Sequence, residues 1–432
     1  MTKNYFAELR AVSDFQFGNN NITPGFPEHI ARLRHQDLDI ESCSCREDFR
    51  SDNVFTIDCE SCKDMDDAIG IKREDWGYRL SVHIADVASY IPFGSELDQL
   101  AISRATSIYL PHLTVPMLPE VLSNDLCSLN PGEDRNTLSV IMQLDHHGNV
   151  ISSRVTKGLI RSRVKGVYSE INRILDGEKN AALLGKYSLV YRDLLDMETL
   201  FNHLRITRIC NGANVSDDNR PKITVCEDCI LVTPVKEGIA ENMIEEFMIL
   251  ANRIVAQYLI DHDLPGIYRY QQTKNNRAAY GVVKTHHVSL ALESYSHFTS
   301  PIRRVADLKI HQILSMYLNG HSPSYIHEVF DDSLEEVCER ATKRSRAAKE
   351  IERSCIRYCY VVFFKEHWNY SFTGQVNRCD ENGYLTIKIN HLNINVVAES
   401  QIGVKAGMNL SFRVKVSKQS RFFAKNLRVL TA

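Results

Sequence analysis

Four aspartates fall within ten positions, at Asp58, Asp64, Asp66 and Asp67, in the segment NVFTIDCESCKDMDDAIGI that runs from Asn53 to Ile71. The segment alternates apolar and polar positions in the manner of strands, so any fold must bury its apolar side chains while accommodating four carboxylates between them. Concentrating carboxylates in apolar surroundings is costly unless cations neutralise them. Mg²⁺ suits such a set, because it is a hard ion that takes carboxylate oxygens and leaves positions for water and phosphate. Two such ions can clamp the attacking and leaving oxygens of an in-line phosphoryl displacement. An exposed acidic loop is the competing reading, and spacing alone leaves the two level. Glu60 shares the stretch, but nothing in its spacing marks it as a ligand.

Two further segments carry chemical signals. In HFTSPIRR, from His297 to Arg304, paired arginines follow a proline-fixed turn and offer rigid, bidentate donors to a phosphate. Asp307, at helical spacing beyond them, is placed to orient an arginine through an ion pair, whereas His311 reads as a packed histidine. The stretch from Ser107 to Glu120 contains Pro111, Pro116 and Pro119. That density prescribes a rigid extended path, expected to be a poor core element and a wall for a substrate.

The order of periodicities gives the fold class. TLSVIMQLDHHGNVISSRVTKGLI alternates around His147-Gly148-Asn149, a hairpin signature. Helical spacing takes over from about Tyr168 to Ile206 and from Gly238 to Asp261. Strands first and helices later predict an α+β domain. A second helical block is expected from Ser333, as N-cap, through Phe364. Its basic residues are mixed with acids, which reads as a solvated face. After Tyr370, five short β-type runs broken by turns fit a small OB-type barrel, whose last third is basic and aromatic. Residues before about Ser51 are polar and mixed.

Composition bounds the function only loosely. The 51 basic and 54 acidic residues give a net charge of −3, which argues against a protein that coats nucleic acid but allows a local basic groove. No apolar run is long enough to span a bilayer, and no secretory leader pattern opens the chain, so the expected compartment is the cytoplasm. Twelve cysteines include Cys43-x-Cys45, Cys59-x-x-Cys62 and Cys226-x-x-Cys229. The C-x-x-C pairs lie too far apart for ordinary zinc-ribbon spacing, and reduced thiols are expected, the last pair on a hairpin.

TIDCESCKDMDDAI, VHIADVASYI, SIYLPHLTVPMLPEVLSNDLCSLNPGEDR, IEEFMILAN and HFTSPIRR follow one another in this order. In that order they resemble the ribonuclease II/R (RNB) family of 3′→5′ exoribonucleases, from about Phe26 to the C-terminus. The resemblance implies an N-terminal extension at 1–50, an RNB catalytic domain at 51–368 with a mixed sheet and helices around an RNA channel, and an OB-fold RNA-binding domain at 369–432. It implies Mg²⁺ held by Asp58, Asp64, Asp66 and Asp67, with Arg303 stabilising charge on the phosphate. Tyr109 and Tyr168 would meet the 3′-terminal nucleotides, Arg304 would bind RNA, and Glu245 would read the ribose. The implied reaction hydrolyses single-stranded RNA with metal-activated water, releasing nucleoside 5′-monophosphates.

Departures from the family pattern are also visible. Fifty residues ahead of the aspartates leave no room for the N-terminal cold-shock domains usual in the family, and a chain without them is expected. The segment between Tyr270 and His297 is short, so a helical stretch is missing. Val215 falls near the place of a second aromatic that pinches the 3′ end, and Val305 replaces a tyrosine. A monomer is expected; a protein partner could supply RNA capture, but no motif names one. The alternatives are an RNA-binding relative without turnover and a metal-dependent phosphohydrolase; the latter leaves the barrel and the ordered motifs unexplained.

Overall fold

In the computed structural model, residues 4–38, 46–215, 221–235, 238–390, 392, 394–400, 403–417 and 420–430 are described. Cys43, Cys45 and the Lys418 of the basic C-terminal run lie outside them. The chain enters through α1 (Tyr5–Asn19), capped by the Asn4 side chain, which accepts from the Ala7 N–H. Tyr5, Leu9, Ser13 and Phe17, each four residues apart, form its buried face. Exposed Phe6 and Phe15 blur that periodicity, which is why a helix stands where the sequence reads as mixed polar chain.

A short helix, α2 (Glu28–Ala31), precedes the strands β1 (Glu47–Asp48), β2 (Val54–Asp58), β3 (Asp67–Glu74) and β4 (Gly77–Ala85). Next come α3 (Glu96–Arg104) and a small hairpin of β5 (Ile108–Leu110) and β6 (Leu113–Val115). The hairpin expected around His147-Gly148-Asn149 is β7 (Asp134–Asp145) and β8 (Val150–Arg161), followed by β9 (Lys165–Val167). These strands make a seven-stranded sheet in the order β1-β8-β7-β4-β3-β2-β9, antiparallel except for β1 on β8 and β2 on β9. Helices α4 (Tyr168–Leu175), α5 (Ala181–Lys186), α6 (Tyr191–Cys210) and α7 (Ile239–Asp261) then pack with the sheet in one large apolar core. Between α6 and α7, β10 (Lys222–Val225) and β11 (Ile230–Thr233) form a hairpin with Cys226 and Cys229 at its turn. The segment after α7 forms another, β12 (Tyr268–Tyr270) with β13 (Ala279–Gly281), before α8 (Val305–Leu318).

The proline-rich stretch corrects one expectation. Leu110, Val115, Met117 and Leu118 are buried, so it joins the core rather than standing outside it. Its apolar side chains outweigh the cost of the extended path.

The last helix, α9 (Pro323–Glu366), corrects another. Ser322, not Ser333, is its N-cap, accepting from the Tyr325 N–H, with Pro323 in the first turn where its missing N–H costs nothing. Ser333 lies inside the helix and donates back to the Phe330 carbonyl. The apolar stripe begins earlier than Ser333, at the buried Ile326 and Phe330. This helix joins two cores: Phe330, Leu334 and Val337 pack with the main sheet, while Ile351, Cys355 and Cys359 pack with α1 and the C-terminal strands. Those strands, β14 (Phe372–Cys379), β15 (Tyr384–Ile389), β16 (Ile394–Glu399), β17 (Asn409–Val416) and β18 (Phe422–Val429), close a barrel in the order β14-β15-β16-β18-β17. Alternate residues fill it, among them Val376, Leu385, Ile387, Val396, Leu410 and Phe412.

Candidate active site

The aspartate segment is split between two strands and the loop that joins them. Asp58 ends β2 and Asp67 begins β3, with Asp64 and Asp66 on the connection. Backbone ties hold that loop. Ser128 donates its hydroxyl to the Lys63 carbonyl (2.7 Å) and accepts from the Met65 N–H (3.2 Å). Lys165, entering β9, donates to the carbonyls of Glu60 and Cys62 at 3.0 and 2.5 Å. The β2–β9 pairing sets Asp58 beside Val167, so Tyr168 follows directly as the first residue of α4.

HFTSPIRR closes over the aspartates through its backbone. The Ile302 N–H donates to Asp66 Oδ1 at 2.9 Å, and the Ser300 N–H donates to Asp307 Oδ1 at 2.8 Å. Asp307 also accepts from Arg304 Nη2 at 2.7 Å, the orienting ion pair its spacing predicted. Arg303 donates Nη2 to Ser300 Oγ (2.8 Å), and its Nε stands 3.3 Å from Asp66 Oδ2. His311 is a core histidine, fully buried, bonded through Nε2 to the Phe298 carbonyl at 2.8 Å.

These elements enclose a cavity of about 560 Å³, and all of Asp58, Asp64, Asp66, Asp67, Tyr109, Tyr168, Glu245, Arg303 and Arg304 line it. Tyr109 is the single residue of the proline-rich stretch that reaches it, donating its hydroxyl to Asp64 Oδ2 at 2.6 Å. Glu245 presents from α7 an exposed carboxylate, whereas its neighbour Glu246 is buried and clamped by Arg208 at 2.5 and 2.8 Å. Val215 is not among the lining residues, and Val305 is buried at the start of α8. The cavity also takes in Asn252, Arg269, His287, Tyr295 and His297, to which the sequence reading assigned no role. Asn252 lies in the IEEFMILAN motif and holds the turn by accepting from the Phe298 N–H at 2.7 Å.

Electrostatics set Asp58, Asp66 and Asp67 apart from ordinary surface acids. Burial raises Asp58 to about 7, and the charge of Asp66 adds to the rise against a hydrogen bond from Cys62. Burial raises Asp66 to about 8 despite the opposing pull of Arg303. Asp67 is raised to about 7 by burial and by repulsion from Asp58. Asp66 Oδ2 is buried and, among the described residues, accepts no hydrogen bond. Mutually repelling carboxylates with an unmet oxygen are a donor set that fits a hard divalent cation. Among the described residues, no three His, Cys, Asp or Glu side chains form a ready-made metal cage. That is compatible with Mg²⁺, which binds through one or two carboxylates plus substrate phosphates and keeps its waters.

A family model for the RNB domain matches residues 46–280 and 274–320. The chain belongs to the RNB-domain family. The match breaks in two at 274–280, in the β12–β13 hairpin with which the short Tyr270–His297 segment begins. Ribonuclease R 1 of Lactococcus lactis is 33% identical over 386 residues, 76% of this chain and 47% of that protein. Ribonuclease R of Thermotoga maritima is 33% identical over 413 residues, 80% of this chain and 57% of that protein. The chain thus spans about half the length of these curated relatives. The fold is that of Mycoplasma genitalium RNase R in complex with ribose methylated single-stranded RNA, with a TM-score of 0.82, 23% identity, and coverage of 96% of this chain and 77% of that one. Yeast Ssd1, a pseudonuclease, shares it with a TM-score of 0.70 at 17% identity, covering 95% of this chain and 57% of that one. The RNB fold therefore does not by itself guarantee turnover; the side chains in the cavity must.

The second groove of note lies between α9 and the barrel. It encloses about 830 Å³ and is lined by Arg353, Arg357, Tyr360, Arg378, Tyr384, Arg421, Phe422 and Phe423 among others. No helix among the described residues is long and apolar enough to cross a membrane.

Proposed function

We propose that this chain is a 3′→5′ exoribonuclease that hydrolyses single-stranded RNA to nucleoside 5′-monophosphates. The observation that carries the reading is the meeting of four aspartates and Arg303 in one cavity, in a chain of the RNB family. Asp58, Asp64, Asp66 and Asp67 would hold Mg²⁺. When bound, the ion supplies a Lewis acid for the phosphate and lowers the pKa of an attacking water.

The chain's own residues would do the remainder. Asp66 and Ser300 fix the Arg303 guanidinium at the carboxylates, where it can meet charge building on the phosphate oxygens. Asp307 holds Arg304 in the same cavity as a donor to the RNA backbone. Tyr109 and Tyr168 offer rings to the terminal nucleotides, and the exposed Glu245 carboxylate can accept from a ribose 2′-OH. No protein nucleophile is required. The barrel groove, with arginines interleaved among aromatics, suits single-stranded RNA on its way to the cavity. In this reading the barrel beyond α9 is the RNA-guiding domain, the sheet and its helices are the catalytic one, and the protein acts as a monomer. The ten described cysteines are all free thiols, and the cytoplasm, which keeps thiols reduced, is the compartment that suits them.

End-labelled single-stranded RNA with Mg²⁺, compared with Asp66→Asn and Asp67→Asn, tests the proposal. A ladder shortening from the 3′ end, absent in both variants, is the expected result. Binding without cleavage would replace the nuclease with an RNA-binding relative, the state that the shared fold of a pseudonuclease keeps in view. Indifference to RNA with hydrolysis of small phosphate esters would point to a phosphohydrolase.

A further inference from the structure

The cavity that gathers the aspartates also carries buried nitrogens with nothing to bind. Arg269, on β12, lays its guanidinium 4.4 Å from the ring centroid of Tyr280 on β13. Among the described residues no carboxylate pairs with it, and its Nη1 is buried with no acceptor. Burial and repulsion from Arg304 and Arg346, against the opposing pull of Tyr280, push its pKa down. Arg304 spends Nη2 on Asp307, but among the described residues its buried Nε has no acceptor. His287 is 9% exposed, and among the described residues its Nδ1 has no partner. All three side chains line the same cavity. The wall behind them is fixed, since Tyr280 Oη and His297 Nδ1 are hydrogen-bonded at 2.7 Å.

An unmet buried polar group costs free energy, and folded proteins leave few of them. Three in one cavity, two of them on guanidinium groups, call for an anion with several acceptor oxygens. Arg303 is turned to Asp66, whereas Arg269 lies on β12 and His287 pairs with Gln271 just beyond that strand, so these nitrogens belong to another side of the cavity.

We propose that Arg269, Arg304 Nε and His287, as its Nδ1–H tautomer, form an anion subsite for a second phosphate group, separate from the scissile one. The proposal rests on the nuclease reading for the identity of that phosphate. It is the phosphate of another linkage of the RNA chain.

Equilibrium binding in EDTA tests the subsite without needing turnover. The probes are RNA oligonucleotides carrying one neutral methylphosphonate linkage, stepped along from the 3′ end. For the wild type, neutralising one linkage should weaken binding about ten- to hundredfold, the loss expected for hydrogen bonds to a charged group. In Arg269→Gln that same linkage should become silent, with Arg269→Lys intermediate. That pattern supports the subsite and identifies the linkage it holds. Equal linkage profiles for wild type and Arg269→Lys overturn it even should Arg269→Gln fail to fold. Failure of the nuclease reading appears separately, as absence of cleavage by the wild type in Mg²⁺.

Discussion

Arg303 reaches Asp66 with its Nε 3.3 Å from Oδ2, while the neighbouring Ile302 N–H binds the other oxygen of the same carboxylate. One aspartate therefore anchors both the turn and the arginine it carries. Arg303→Ala leaves the turn's backbone bonds in place. Its turnover of single-stranded RNA should fall about a hundredfold or more while RNA binding changes less than about threefold. Single-turnover rates and binding isotherms on one oligonucleotide measure both, and parallel loss of the two would contradict a role in the reaction itself.

Asp67 carries the opposite balance of stability and function. It is raised to about 7 by burial and by Asp58, so its charge opposes folding when no cation is present. In EDTA, Asp67→Asn should melt about 1–3 °C above the wild type. Adding Mg²⁺ should raise the wild-type Tm and leave the variant nearly unmoved. A wild-type Tm indifferent to Mg²⁺ would count against the aspartates as its ligands.

Glu245 projects from α7 into the cavity, while the buried Glu246 beside it is committed to Arg208. Glu245→Ala should narrow the preference for a 3′-terminal ribose over deoxyribose about tenfold, with little effect on the deoxy substrate. Chimeric oligonucleotides with one terminal deoxynucleotide supply the measurement. Glu246→Ala should instead lower Tm, because it strands the Arg208 guanidinium in the core.

The barrel groove predicts a salt signature. Arg378→Gln and Arg421→Gln should each weaken binding of long RNA and reduce the slope of log affinity against log salt by about one. Cleavage of trinucleotides, which in this reading engage the cavity alone, should be unaffected. An undiminished slope would exclude these arginines as phosphate contacts.

His83 gives the fold an acid limit. It is fully buried between Ser139, bonded to Nδ1 at 2.8 Å, and the ring of Phe49, and burial pushes its pKa down to about 3 from 6.5. Below pH 6.5 the unfolded chain takes up a proton that the folded chain refuses until about pH 3. Its contribution is thus whole above pH 6.5 and drains away as pH falls toward 3. Between pH 7.5 and 5 the loss should be about 2 kcal/mol. Urea unfolding of wild type and His83→Gln at both pH values should show a smaller drop in the variant; equal drops would remove His83 as the cause.

The aspartates and HFTSPIRR were legible because their chemistry is local: charge density in one case, a proline-fixed arginine pair in the other. Tyr109, Tyr168 and Glu245 came only through the family resemblance, since one tyrosine in a strand or one glutamate in a helix carries no signal of its own. Arg269 was invisible for a different reason. Its surroundings are made by β12 pairing with β13 and by the approach of Arg304, contacts that no spacing within Tyr268–Gly281 encodes. At α9, a run of mixed charge drew attention to Ser333, and the Ser322-Pro323 start was passed over although it is the stronger capping signal. The proline stretch misled because backbone stiffness was weighed ahead of the apolar side chains it carries.

The packing of α1 against α9 has a consequence for synthesis on the ribosome. Tyr5 hydrogen-bonds Glu366, 361 positions further along the chain, and Tyr358 bonds Glu8. Helix α1 is thus made long before the part of α9 that it packs against. At about 5–20 residues per second, it waits on the order of tens of seconds for that partner. Throughout this interval the face of α1 that meets α9 stays uncovered, which makes it a segment for a chaperone to shield.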